Sequence, residues 1–359
     1  MSAQLKTVDV GGASRTFRTA TLADCRECGP RWLVQGLIEQ PSVAVVTSEP
    51  GLGKTFLLMD LALHVAAGRE WFRRKVDKGV VLYVAAEAAE SVKRRAALAR
   101  RVKFGGAALP VEIVLEPALL GDELHSAADR EALEHLIDDV ARRHHAPVVL
   151  VIIDTVAASM GSGNENLDGM QRLTGAANML AARMSLAVIL NHHPNAAGGA
   201  LRGHGSLLGT VSHAFRIAAK GDARVLTGFK QRDAEGGALL AYRLQVYDLE
   251  TPDNFGDRST SCVIEPAEMP ADDGDDEKTQ QTRLTLAARE AFGSSIGTPV
   301  RFGAILDHCR SACDFLADKS PEATRKAVGR ALRALEAAGV IKRCEIPRGT
   351  YRLVDGSRQ

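Results

Sequence analysis

The sequence predicts an α/β domain with a mostly parallel sheet, extended by a β-hairpin and followed by a small C-terminal domain. Three observations carry this reading. Short apolar runs alternate with helical stretches from Val43 to Leu190. After Arg224, two strand-like segments flank the turn-rich Asp233-Ala-Glu-Gly-Gly237. An acidic, proline-containing stretch then sets apart a basic tail. Strands buried on both faces of a parallel sheet read as unbroken apolar runs, and a hairpin reads as two strands around a turn.

The elements follow in order. Residues 1–20 are polar and carry no periodic signal, and 1–29 read as a lead-in. Within them, Cys25-Arg-Glu-Cys28 is half of a zinc pattern with no second half, or simply two thiols. Val43–Thr47 reads as a buried strand, followed by a Gly-containing turn and a helix from Thr55 to Ala67 that Gly68 stops. Val80–Val84 is a second strand, followed by a charged helix over 87–101. Glu112–Glu116 is a third strand, and Asp129–His144 has helical spacing. Val148–Ile153 is the strongest strand. Leu167–Met184 is helical, and Leu186–Leu190 is a further strand. Arg224–Lys230 and Ala241–Tyr247 form the hairpin, which closes a core domain over 30–265.

Residues 266–282 hold the acids Glu268, Asp272, Asp273, Asp275, Asp276 and Glu277 with two prolines, and read as a flexible linker. The tail, 283–359, has fourteen Lys/Arg against eight Asp/Glu. Its helix Ser320–Ala338 ends at Gly339. Strand, turn and strand follow, which is a winged-helix-like pattern.

Composition bounds the function. With 359 residues, two domains are expected. Hydrophobic residues at 45% and charged residues at 25% are globular values. The formal charge of +1 excludes a uniformly basic coat but not a local basic patch. No stretch approaches the roughly 18 apolar residues of a membrane span. Six Cys in this length do not make a disulfide framework, so a cytoplasmic setting is expected. Aromatics at 4% leave room for only a small base-stacking surface.

The chemistry begins at Ser48-Glu49-Pro50-Gly51-Leu52-Gly53-Lys54-Thr55, with Phe56 in the helix that follows. A strand, a glycine-rich loop and a helix are the setting of a phosphate-binding loop. Gly51 and Gly53 let backbone N–H groups converge on one anion, and the helix adds its positive end. Lys54 can reach the β- and γ-phosphates of ATP, and the Thr55 hydroxyl can ligate Mg2+. The pattern wants glycine where Ser48 stands, so Ser48 must keep φ negative or carry strain.

Polar groups follow the other strands. Asp154 ends the strongest strand and suits Mg2+ or its water, against the plainer reading of a helix cap. Glu87, just past Val80–Val84, could activate a water attacking the γ-phosphate, or merely favour a helix start. Glu90 is its nearest competitor. His192 and His193 could sense the γ-phosphate, ligate a metal or be ordinary loop residues. Lys230 and Arg232 alternate along the hairpin and could complete a neighbouring subunit's site, or guard an exposed edge. Arg216 competes for that role. The loops 161–166 and 194–205, the second carrying Arg202, could grip DNA phosphates or be plain surface loops.

In this order the residues resemble the RecA-like ATPases, and in particular the RepA-type hexameric replicative helicases of plasmids and phages. The likeness spans about Pro30 to Leu249 and includes Trp32-Leu-Val-Gln-Gly-Leu, Leu82-Tyr-Val-Ala-Ala-Glu87, Ile153-Asp-Thr155, Asn164-Glu-Asn166, His192-His193 and Lys230-Gln-Arg-Asp233. The resemblance implies an ATP site at a subunit interface. Lys54, Thr55 and Asp154 would serve as the Walker residues, Glu87 as catalytic base, a histidine as phosphate sensor, and Lys230 and Arg232 as cations given in trans. It implies a homo-oligomer, a hexameric ring with single-stranded DNA in its pore, and no membrane, and the basic C-terminal domain could hold duplex DNA or a replication partner. Two other classes stand beside it. One is an ATP-switched DNA-binding regulator or loader that does not unwind. The other is a small-molecule kinase, which the absence of an evident lid or acceptor pocket disfavours.

Overall fold

The computed structural model describes residues 4–10, 13–25, 27–163, 168–193, 205–231, 236–270, 277–293, 298–313, 316, 320–344 and 349–354. The chain divides into two compact units, Met1–Met269 and Pro270–Gln359.

The first unit opens with a hairpin, β1 (Gln4–Val10) and β2 (Ala13–Thr19). The polar composition of residues 1–20 gives no periodic signal for these two strands. Short β3 (Trp32–Val34) and β4 (Ile38–Glu39) pair antiparallel. The core then alternates: β5 (Ser42–Ser48), α1 (Lys54–Ala67), β6 (Val80–Ala85), α2 (Ala89–Phe104), β7 (Val111–Val114), α3 (Ser126–His144), β8 (Val148–Asp154), α4 (Asp168–Met184) and β9 (Ala187–His192). Gly68 at φ 67° stops α1, as its position in the sequence predicts.

A short α5 (Gly205–Thr210) leads into an antiparallel run: β10 (His213–Lys220), β11 (Ala223–Gln231), β12 (Gly237–Asp248) and β13 (Thr260–Ala267). These strands join the core strands in one nine-stranded sheet, ordered β13-β12-β11-β10-β5-β9-β8-β6-β7. From β10 to β7 every neighbouring pair is parallel. The expected α/β class with a mostly parallel sheet holds. The expected hairpin is only the middle of a four-stranded extension. Both outer strands lack the clean apolar run that marks a buried strand.

Alternation along each strand divides the core into two layers. Ala44, Val46, Val81, Tyr83, Ile152 and Ile189 face α1 and α2. Val43, Val45, Leu82, Val84, Ile153 and Leu190 face α3 and α4. Each fully buried Val, Leu or Ile among them contributes about 1.5–3 kcal/mol. The sheet is therefore a rigid platform that fixes where its strand ends lie.

The second unit comprises α6 (Glu277–Glu290), β14 (Val300–Arg301), α7 (Phe302–Ala312), α8 (Pro321–Ala337), β15 (Ile341–Arg343) and β16 (Thr350–Leu353). Its three strands form a sheet ordered β14-β16-β15. Leu284, Ile305, Cys309, Val328, Leu332, Ile341 and Leu353 share a core of their own. Strand β13 and helix α6 run into the two ends of the segment 266–282, where a linker is expected. Residues 271–276 of that segment lie outside the described residues. Among the described residues, no helix is long and apolar enough to cross a membrane.

Candidate active site

Parallel register brings the polar strand ends together. Thr47 on β5 is opposite His192 on β9, Asn191 is opposite Asp154 on β8, and Asp154 is opposite Ala85 on β6. Residues Ser48, Glu87, Asp154 and His193, far apart in the chain, thus lie on or just past neighbouring strand ends, where open α/β sheets hold their ligands.

The loop after β5 turns on Gly51 (φ 80°) and Gly53 (φ 85°), both left-handed. A Cβ on Gly53 would meet Leu244 Cδ1 at 3.0 Å, whereas one on Gly51 would meet nothing within 4 Å. Tyr242 on β12 donates its hydroxyl to the Leu52 carbonyl at 3.0 Å. The antiparallel extension therefore buttresses the loop, a role that the sequence reading missed. Glu49 and Pro50 are exposed, and Leu52 and Phe56 pack partly against the core. The Arg95 guanidinium lies 4.4 Å from the Phe56 ring centroid.

Ser48 is the last residue of β5, opposite Ile217 of β10, and its φ is not positive. It stands without left-handed strain where the pattern wants glycine. Its Oγ donates to the Glu49 carbonyl at 2.7 Å. Lys54 opens α1 and is buried. Its ammonium donates to the Ser48 carbonyl and Oγ, each at 2.9 Å, and lies 3.1 Å from His193 Nδ1. Burial pushes the Lys54 pKa down to about 8, with Asp154 and Glu49 opposing the shift.

Asp154 is buried at the end of β8. Its Oδ2 accepts from the Tyr83 hydroxyl at 2.5 Å, and its Oδ1 accepts from Asn191 Nδ2. Burial, and then the neighbouring Asp154, raise the Tyr83 pKa well above the ordinary phenol value, so Tyr83 stays a donor. Thr155 donates its hydroxyl to Glu87 Oε1 at 2.8 Å. Glu87 is exposed, just beyond β6. Glu90 is also exposed and pairs with Lys93 at 2.8 Å, a hydrogen bond that lowers its pKa.

The two histidines separate. His192 is buried within β9, while His193 is exposed and reaches Lys54. Lys230 donates to the Leu208 carbonyl of its own chain. Arg232 lies outside the described residues, as do most of the two glycine-rich loops, including 164–167 and 194–204 with Arg202. Arg216 is exposed on β10, opposite Thr47 of the phosphate-loop strand.

The donors suit a hard cation such as Mg2+, which takes oxygen ligands. Thr55 offers a hydroxyl and Asp154 a carboxylate. The buried Oδ1 of Asn191 has no hydrogen-bond partner among the described residues. No group of three or more His, Cys, Asp or Glu among those residues is placed to hold a metal. Tyr83, Asn191 and Thr155 had no assigned role in the sequence reading. Strand pairing brings Tyr83 and Asn191 to Asp154, and Thr155 follows it in the chain.

A family model described as an AAA domain matches residues 15–199. Among solved structures, one described as an ATPase domain is similar at 11% identity and a TM-score of 0.44, over 61% of this chain and 84% of that one. A DnaB-like replicative helicase, in a structure described with its primase interactions, has the same identity and score over 61% of this chain and 57% of that one. No curated protein matches the chain.

Proposed function

This chain belongs to the AAA domain family, and from that premise we propose that it is a Mg-ATP-dependent ring ATPase that moves on DNA, of the replicative-helicase kind. The observation that carries the reading is the convergence at the strand ends. The Lys54 ammonium meets His193, and Asp154 sits between Tyr83 and Asn191. Thr155, next in the chain, holds Glu87.

In this reading the loop amides and Lys54 bind the β- and γ-phosphates of ATP and counter the charge that develops as the γ-phosphoryl leaves. Glu87 takes the proton of the attacking water at its carboxylate. Mg2+, held by the Thr55 hydroxyl and by Asp154 with Asn191 beside it, would supply charge neutralisation on the phosphates. His193 is the histidine that follows the γ-phosphate, since it already touches Lys54. Lys230 and Arg232 are the cations given in trans to a neighbouring subunit, with Arg216 as the competing cation. The loops 161–166 and 194–205 line a pore that grips single-stranded DNA. The element order helix, strand, helix, helix, strand, strand supports a winged-helix-like fold for the second unit.

Strand displacement from a forked DNA, measured alongside ATP hydrolysis, tests the reading. The wild type should unwind, and Glu87→Gln should bind ATP without unwinding. Nucleotide-dependent DNA binding without displacement would favour an ATP-switched regulator or loader instead. Mixing Lys54→Ala with Arg232→Ala subunits should restore part of the turnover at shared interfaces. No restoration at any ratio would remove the trans arrangement.

A further inference from the structure

The second unit lies wholly outside the family match at 15–199 and carries a charge pattern that the ATP site does not use. Helix α8 begins cleanly. Ser320 accepts from the Ala323 amide at 3.3 Å, and Pro321 follows at the first helical position. Thr324, Ala327, Val328, Ala331, Leu332 and Leu335 bury one side of it in the unit's core. The opposite side is cationic, with Arg325, Lys326, Arg330 and Arg333 all exposed. Lys326 pairs with Glu322 at 3.0 Å. Among the described residues no carboxylate pairs with Arg325, Arg330 or Arg333. Gly329 lies within this arc, so the helix backbone can approach a surface closely there.

A second observation comes from the strands. A short turn joins α8 to β15, and Glu336 fastens the two by accepting from the Arg343 amide at 3.2 Å. On the β15–β16 pair, Lys342 stands directly opposite Arg352, and both are exposed. Like charges directly opposite each other on an antiparallel pair are destabilising. Such a pair is relieved when an anion lies over it.

From these two features we infer that the second unit is a duplex-DNA-binding module. Helix α8 lies in the major groove, and Lys342 and Arg352 hold the flanking phosphate backbone. Three physical points select duplex DNA. The major groove of B-form DNA, about 12 Å wide, admits an α-helix, whereas side chains cannot read the deep, narrow major groove of A-form RNA. A single strand is usually held by stacking on aromatic rings. The exposed arc of α8 carries none, and the neighbouring Tyr351 packs against the core. Unpaired Arg side chains supply both phosphate contacts and bidentate contacts to guanine. The inference stands on the second unit alone and does not depend on hydrolysis by the first.

The experiment measures binding of the full chain to a fluorescent duplex, and to a single strand of equal length, without nucleotide and across salt. The wild type should prefer the duplex. The triple variant Arg325→Ala/Arg330→Ala/Arg333→Ala should bind the duplex at least about ten-fold more weakly, with a salt slope shallower by about 2–3, since each lost phosphate contact removes roughly 0.9. Lys342→Ala/Arg352→Ala should reduce the slope by about 2 on the same ground and should not lower thermal stability, because a repulsive pair is removed. A charge-keeping triple variant, with Lys at all three α8 positions, should retain most non-specific affinity and guards against a folding artefact. Duplex affinity and slope unchanged in both alanine variants would overturn the inference and leave this face to a protein partner. Because nucleotide is absent, loss of the ATPase reading leaves this result standing, and the reverse also holds.

Discussion

The ammonium of Lys54 lies 3.1 Å from Nδ1 of His193, so the phosphate-loop lysine and the loop after β9 share a contact. Burial brings that lysine to a pKa of about 8, below the unfolded value of 10.5. Between those two values the unfolded chain binds more protons than the folded one. This group's contribution to stability therefore rises with pH over that window and is unfavourable below it. Phosphate binding runs the other way, because it needs the charged ammonium. Nucleotide affinity is predicted to fall as pH rises past about 8. Lys54→Arg, charged throughout, should lose that dependence even where it binds more weakly. Fluorescent nucleotide titrations from neutral to alkaline pH check this. A flat wild-type profile would place the lysine outside the phosphate contact.

The Thr155 hydroxyl holds Glu87 at 2.8 Å. If Glu87 is the base, its orientation depends on that donor. Thr155→Val should lower the maximal hydrolysis rate by roughly ten-fold or more, leaving nucleotide affinity near wild type, and Thr155→Ser should recover most of the rate. Glu87→Gln should lose about 100-fold or more. A loss in Thr155→Val expressed only as weaker binding would contradict a positioning role.

Asp154 receives Tyr83 on one oxygen and Asn191 on the other. Both donors are buried, so removing one leaves a buried carboxylate oxygen short of a partner. Tyr83→Phe should destabilise the fold by about 1.5–3 kcal/mol, the range for hydrogen bonds to charged groups. It should also raise the Mg2+ concentration needed for half-maximal turnover. Denaturant melts and a Mg2+ titration measure the two effects separately. An unchanged melt would mean that Asp154 is held without Tyr83.

The parallel core and the phosphate loop were legible because each is written locally. Val148–Ile153 is an unbroken apolar run, and Gly51 and Gly53 are the residue type that their left-handed backbone favours. What escaped was written across the chain. Tyr83 and Asp154 are 71 positions apart and meet only because β6 and β8 pair in one register. His213–Lys220 mixes exposed Arg216 with buried Phe215, so it lacks the signature of a buried strand while pairing with β5 on one side and β11 on the other. Pro266 disguised the end of β13 as linker. The different surroundings of His192 and His193 also needed the strand end, which leaves His192 buried and His193 beside Lys54.

Gly53 offers the sharpest test of the buttress formed by the antiparallel extension, because Gly51 is its internal control. Both glycines are left-handed, and an alanine at either costs about 1–2 kcal/mol of backbone strain. Only at Gly53 would the new methyl group also press on Leu244 of β12. Gly53→Ala should therefore weaken nucleotide binding more than Gly51→Ala. Adding Leu244→Ala should close most of the gap between them, since it removes the contact and leaves the strain. Isothermal titration with ATP on the four proteins decides the matter. If Leu244→Ala fails to narrow the difference, the phosphate loop does not lean on β12, and the Tyr242 hydrogen bond to Leu52 becomes the remaining link between the extension and the site.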